Sequence, residues 1–141
     1  MRLSKRSEYG LRALQDLAGQ HGQGPIHTGD LAEKNRIPLK FLEQILLTLK
    51  NAGIVRSRRG PQGGYYLARD PREITLGAVV RILDGPLAPI SCASRTAYEP
   101  CSCPDESTCG LRRVMLQVRD GVADIMDHTT LADVARGDSG T

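Results

Sequence analysis

From residue 38 to residue 68 the chain reads PLKFLEQILLTLKNAGIVRSRRGPQGGYYLA. Its first half repeats apolar side chains at helical spacing: Leu39, Leu42, Ile45, Leu46 and Leu49. Pro38 suits a first helical position, and Gly53 suits the residue just past a helix end. Lys40, Glu43, Gln44 and Lys50 lie on the other side. After Gly53 the pattern changes to two short β-prone runs, residues 54–57 and 65–68. The residues between them, Arg58-Arg59-Gly60-Pro61-Gln62-Gly63-Gly64, make a flexible cationic tip. An amphipathic helix followed by such a hairpin is the pattern of a winged helix.

Working upstream, residues 28–34 read as a short helix that Thr28 can cap, with Leu31 and Ala32 facing inward. Asn35-Arg36 makes a tight turn before the longer helix. A short helix, a turn and a longer helix form a helix-turn-helix, whose second helix enters the DNA major groove. Lys40, Glu43 and Gln44 cluster in the part that meets base edges. Glutamine pairs bidentately with adenine, and glutamate accepts from the cytosine amino group. A plain amphipathic helix with a solvated polar face would look similar; the hairpin and the charge distribution tip the balance. Residues 1–70 carry 12 Lys/Arg against 6 Asp/Glu, a net of +6, while residues 71–141 carry 7 against 10. A basic first half suggests a polyanionic partner. The glycine tip is not a nucleotide loop, because no Gly-Lys-Ser/Thr follows it and no helix starts there. A first helix is expected over residues 7–20, with Tyr9, Leu11, Ala13, Leu14, Leu17 and Ala18 on its apolar face. The expected DNA-facing set is Lys5, Lys40, Glu43, Gln44, Arg56, Arg58, Arg59, Gln62 and Gly63.

Downstream, residues 74–83 read as a further helix, then about 24 residues, 85–108, lack periodicity. A loop that long in a compact chain is usually functional or disordered. It holds Cys92, Cys101 and Cys103, and Cys109 follows at once; the remaining sequence has no cysteine. Clustered soft thiolates bind soft metals and iron–sulfur clusters. Their polar neighbours suggest an exposed loop. Ser107 and Thr108 are candidate N-caps for a long helix from about Cys109 to His128, whose dipole would favour a Cys109 thiolate. Along that helix Leu111, Val114, Met115, Val118, Val122, Ile125 and Met126 form one stripe. Steps of 3 and 4 suit a coiled-coil-like partner, here a second subunit, although packing on the chain's own domain is the alternative. Residues 130–135 suggest one more short helix, and residues 137–141 a frayed tail.

The chain has 141 residues and 15.3 kDa, 40% of them hydrophobic. It has no apolar run near 18 residues and no secretory h-region behind Met1, so a soluble cytoplasmic protein is expected. In a reducing cytosol clustered cysteines are more often ligands or redox sensors than structural disulfides. His21, His27 and His128 are scattered and lack triad-like partners, which argues against an enzyme. The expected layout is a winged helix-turn-helix domain over residues 1–84, a cysteine-rich cluster-binding loop over 85–108 and a dimerisation helix region over 109–136. The fold class is mostly α with a small β-hairpin.

Four segments carry a resemblance to the Rrf-type family of bacterial winged helix-turn-helix transcriptional regulators. They are the start M-R-L-S, residues 9–14 (YGLRAL), residues 37–46 (IPLKFLEQIL) and residues 59–65 (RGPQGGY). The resemblance covers residues 1 to about 130. It implies a homodimer on an imperfect DNA palindrome, with the recognition helix in the major groove and the wing beside it. It also implies a cluster, 2Fe–2S or 4Fe–4S, held by Cys92, Cys103 and Cys109. The spacing of Cys103 and Cys109 matches the family pattern, whereas the gap from Cys92 to Cys103 is longer than usual. Arg112 stands where some members place a histidine ligand, and Cys101 is an additional thiol. The fourth ligand implied is Cys101 or Glu8 of the partner subunit, since Glu8 stands where nitric-oxide-sensing members use an acidic ligand. Two other chemistries suit the same residues. One is a metal-free thiol switch in which Cys101 or Cys103 pairs with another cysteine. The other is a structural zinc site.

Overall fold

A computed structural model describes residues 2–136, so the tail expected at residues 137–141 lies outside the described residues. Three helices come first: α1 (Lys5–Gly19), α2 (Thr28–Asn35) and α3 (Leu39–Asn51). The hairpin follows as β1 (Val55–Arg58) and β2 (Gly64–Leu67), paired antiparallel with Val55 opposite Leu67 and Arg58 opposite Gly64. Then come α4 (Leu76–Asp84), α5 (Gly110–His128) and the single turn α6 (Leu131–Val134). Mostly helical with one small hairpin, this is the winged helix-turn-helix expected.

The caps explain the helix starts, and several differ from expectation. Ser4 Oγ accepts from the Ser7 amide at 3.0 Å, so α1 begins two residues earlier than its apolar pattern suggests. At α2 the cap is His27, whose Nδ1 accepts from Gly29 N at 3.1 Å, and Thr28 is already helical. Pro38 sits just before α3, with Leu39 as its first helical residue. Residues 71–73 form a 3-10 turn and Ile74 is extended and fully buried, so α4 starts at Leu76 under a Thr75 cap rather than at Ile74. Ser107 and Thr108 do not cap α5. They belong to a 3-10 turn, Glu106–Thr108, and the cap is Cys109.

The core sits where α1, α2, α3 and α4 meet the hairpin. Leu14, Leu31, Leu42, Ile45, Leu46, Leu49, Ile54 and Val79 are among its fully buried members. Leu131 of α6 joins them, fully buried, so the chain returns to this core after α5. Two glycines permit close approaches. A Cβ on Gly10 of α1 would lie 2.6 Å from Leu83 Cδ1 of α4. A Cβ on Gly77 of α4 would collide with Asp127 of α5, where Arg81 and Asp127 join the two helices through bonds of 2.6 and 2.9 Å. Among the described residues no helix is long and apolar enough to cross a membrane.

Candidate nucleic-acid interface and cysteine loop

The turn between α2 and α3 sets up the first site. Arg36 takes a left-handed conformation, φ 54°, and the Ile37 amide reaches back to Ala32 O at 2.9 Å. Leu42, Ile45, Leu46 and Leu49 bury one face of α3 and leave Lys40, Glu43 and Gln44 exposed together on the other. Leu39, assigned from spacing to the apolar face, is instead 46% exposed, and Leu47 is 52% exposed. Helical Cβ atoms tilt toward the N-terminus, so a side chain at the first position points past the helix end. Both leucines stand beside Lys40, Glu43 and Gln44, and apolar side chains contact the thymine methyl in major grooves.

The hairpin presents Arg56, Arg58, Arg59 and Gln62 to solvent, with Arg58 lying 5.7 Å over the Tyr66 ring. Gly63 is buried beneath the tip. Its amide donates to Gly60 O at 2.9 Å, and a Cβ there would collide with the Arg58 carbonyl. Ile26 exchanges two backbone bonds with Tyr65, at 2.8 and 2.9 Å, anchoring the base of the hairpin. Lys5 is exposed at the start of α1, where it pairs with Glu8 at 3.3 Å and lies 5.7 Å from the Tyr9 ring.

The cysteine loop is more structured than its composition suggests. Cys92 is buried in a short 3-10 turn, Ser91–Ala93, rather than exposed. Ala93, fully buried beside it, draws that turn against the chain, and burial pushes the Cys92 thiol up. Glu106 organises the middle of the loop: its carboxylate accepts from the Cys101 amide and from the Tyr98 hydroxyl. Those bonds hold Glu106 below the usual carboxylate range and push the Tyr98 phenol up. Arg95 grips Asp120 of α5 with bonds of 3.0 and 2.8 Å, holding that carboxylate down to about 2. No cysteine motif or periodicity points to Glu106 or Arg95.

All four cysteines are free. The Cys103 amide donates to Cys101 Sγ at 3.3 Å. The amide and thiol of Cys103 lower the Cys101 thiol, and the same contact raises Cys103. Cys109 Sγ, at the start of α5, accepts from Arg112 N at 3.4 Å. Among the described residues no group of three or more His, Cys, Asp or Glu is close enough to hold a metal ion. In kind the donor set fits a soft metal or an iron–sulfur cluster, but its members are not gathered into a closed cage. Glu8 is on α1, partly exposed and paired with Lys5.

Of the α5 stripe, Leu111, Val114 and Ile125 are 61%, 49% and 68% exposed, and Ala123 is the helix's buried residue. Beside it lies a groove of about 370 Å³ lined by Leu3, Val80, Leu87, Val122 and Met126.

The family model Rrf2, described as an iron-dependent transcriptional regulator, matches residues 3–137. The HTH-type transcriptional regulator CymR of Bacillus subtilis is 36% identical over 135 residues, covering 96% of this chain and 90% of CymR. The solved structure of CymR, the global cysteine regulator of B. subtilis, superposes with a TM-score of 0.81 at 35% identity, over 100% of this chain and 98% of that one. The structure of T. potens IscR gives 0.75 at 32% identity, over 94% and 85%. These relatives are regulators, not enzymes, and they share the winged-helix architecture built here from α1 to β2. The chain belongs to the Rrf2 family of transcriptional regulators.

Proposed function

We propose that the chain acts as a homodimer on an imperfect palindrome in double-stranded DNA, and that an iron–sulfur cluster at the cysteine loop sets its affinity for that operator. The observation that carries this reading is the placement of four free thiols in the loop that leads into α5, a helix whose apolar stripe leaves Leu111, Val114 and Ile125 exposed. The stripe and the adjoining groove suit a second copy of this chain. Lys40, Glu43 and Gln44 would read base edges, and Arg56, Arg58, Arg59 and Lys5 would neutralise phosphates. Gln62 at the tip adds a polar contact, and Gly63 keeps the tip compact.

Cys92, Cys103 and Cys109 would hold the cluster, 2Fe–2S or 4Fe–4S, with Cys101 or Glu8 of the partner subunit as the fourth ligand. When bound, such a group supplies an oxidisable, ligand-accepting link among the thiolates. Arg112 keeps Cys92 and Cys109 near one turn of α5, and Glu106 holds the Cys101 backbone. A second reading, a metal-free thiol switch, is favoured by the direct contact of Cys101 with Cys103. There two thiols would lose two protons and two electrons to an oxidant such as a peroxide and form one disulfide.

Protein purified without oxygen decides between them. Iron and acid-labile sulfide with visible absorption support the cluster. Stoichiometric zinc without colour would mean a structural metal, and a metal-free protein that loses thiols reversibly would mean the switch. One operator is then titrated with holo protein, apo protein and a Cys103→Ala/Cys109→Ala variant at one salt concentration. A difference of about 5- to 150-fold is expected, the usual range of allosteric coupling. Identical affinities would remove the loop from control of DNA binding.

A further inference from the structure

Asp16 of α1 and Asn35 at the end of α2 are 3% and 5% exposed. Burying such groups is costly unless they are hydrogen-bonded. Asn35 Nδ2 donates to Asp16 Oδ2 at 2.6 Å and to Leu31 O at 3.0 Å. Its backbone carbonyl accepts from Arg12 Nη2 at 2.9 Å. Lys34 Nζ lies 3.3 Å from the other Asp16 oxygen. The remaining acceptor, Asn35 Oδ1, receives Arg136 Nη1 at 3.2 Å, from a residue 101 positions later.

Arg136 is itself fastened. Its amide donates to Gln15 O at 2.9 Å, and Gln15 Nε2 donates to Val134 O at 3.0 Å. At the other end of the same segment, Leu76 N bonds Thr129 O and Leu131 N bonds Ile74 O, at 2.9 and 2.8 Å. Residues 129–136 therefore run as a strap from the end of α5, across α4 and α1, to the turn that launches α3. Asn35 directly precedes the left-handed Arg36, so the orientation of its side chain and the path of that turn are one variable.

We propose that Arg136 is a positioning residue for α3: by completing the bonding of Asn35 it fixes the helix-turn-helix turn and ties the reader to the far end of α5. The inference rests on α3 being the DNA reader. Arg136 acts through Asn35, not on phosphate.

The test uses the full chain, the duplex that wild-type protein selects from a random-core pool, and a scrambled duplex of equal length. Arg136→Ala should weaken the selected duplex about two- to tenfold, the size of one hydrogen bond, and leave the scrambled duplex and the salt slope unchanged. Arg136→Lys, which keeps a donor, should recover most of the loss. Arg136 is exposed, so the variant should keep its helix content by circular dichroism. Equal losses on both duplexes, with the salt slope lowered by about one, would make Arg136 a phosphate contact and overturn the proposal. No loss on the selected duplex would overturn it too. If wild-type protein selects no duplex at all, the DNA-reading assignment of α3 falls first, and this proposal with it.

Discussion

Arg112 donates from Nε to the Cys92 carbonyl at 3.0 Å, so the buried first cysteine of the loop hangs on the first turn of α5. The thiols should therefore react unequally in metal-free protein. Cys101 is exposed and its thiol is lowered, whereas Cys92 is buried and raised. Iodoacetamide at mildly alkaline pH, followed by mass spectrometry, should label Cys101 first and Cys92 last. Arg112→Ala should speed Cys92 labelling about two- to tenfold, as expected for losing one hydrogen bond. A Cys92 rate unchanged by that substitution would show that the loop does not depend on Arg112.

The hairpin and α3 should fail in different ways. Arg59→Ala should weaken binding to every duplex and lower the slope of log affinity against log salt by about one. Glu43→Ala should instead change which sequences a random pool yields. Equal affinity of wild-type protein for random and selected DNA, read by gel shift, would end the regulator assignment of α3.

Gly63 tolerates no side chain, because a Cβ would run into the Arg58 carbonyl. Gly63→Ala must distort the tip, at a cost of about 1–3 kcal/mol in urea unfolding. The selected sequence should stay the same, on the proposed reading in which α3 meets the base edges. A variant as stable as wild type would mean that the tip rearranges freely.

Acid should loosen the junction of α4 and α5. Arg81 holds the Asp127 carboxyl below its ordinary value of 3.8 through two hydrogen bonds. A depressed folded-state value makes the contribution complete above about 4 and progressively lost as pH falls through the folded value. Both side chains are about one-third exposed, so it amounts to about 1 kcal/mol or less. Asp127→Asn should start lower in stability and fall less steeply below pH of about 4 when unfolding is followed by urea titration. Parallel acid limbs for the two proteins would show the pair to be energetically silent.

Helix α3 was legible because its signals agree: Leu42, Ile45, Leu46 and Leu49 carry the period, Gly53 the stop, and the basic tip follows at once. The short elements were less so. Nothing in its own position marks His27 as a cap, since Thr28 beside it is the better capping residue by type. Ile74 continues an apolar pattern yet is extended, because Asp70 and Pro71 start a separate turn and the Ile74 carbonyl is taken by Leu131. Cys92 looked exposed from its polar neighbours; its burial comes from Ala93 and from the bond to Arg112, a residue 20 positions away. Contacts across such separations leave no local periodicity to read.

The fully buried place of Leu131 has a consequence for the order in which the molecule is made. Domains generally fold from the N-terminus as synthesis proceeds. Here the core of α1 to α4 lacks one side chain until α6 has been translated, after every cysteine and all of α5. A nascent chain interrupted before Leu131 leaves a gap in the core beside α1 and the turn at residues 71–73. Completion of the winged-helix core is thereby deferred until the cysteine loop exists on the same polypeptide, so that a folded winged helix without that loop is disfavoured from the start.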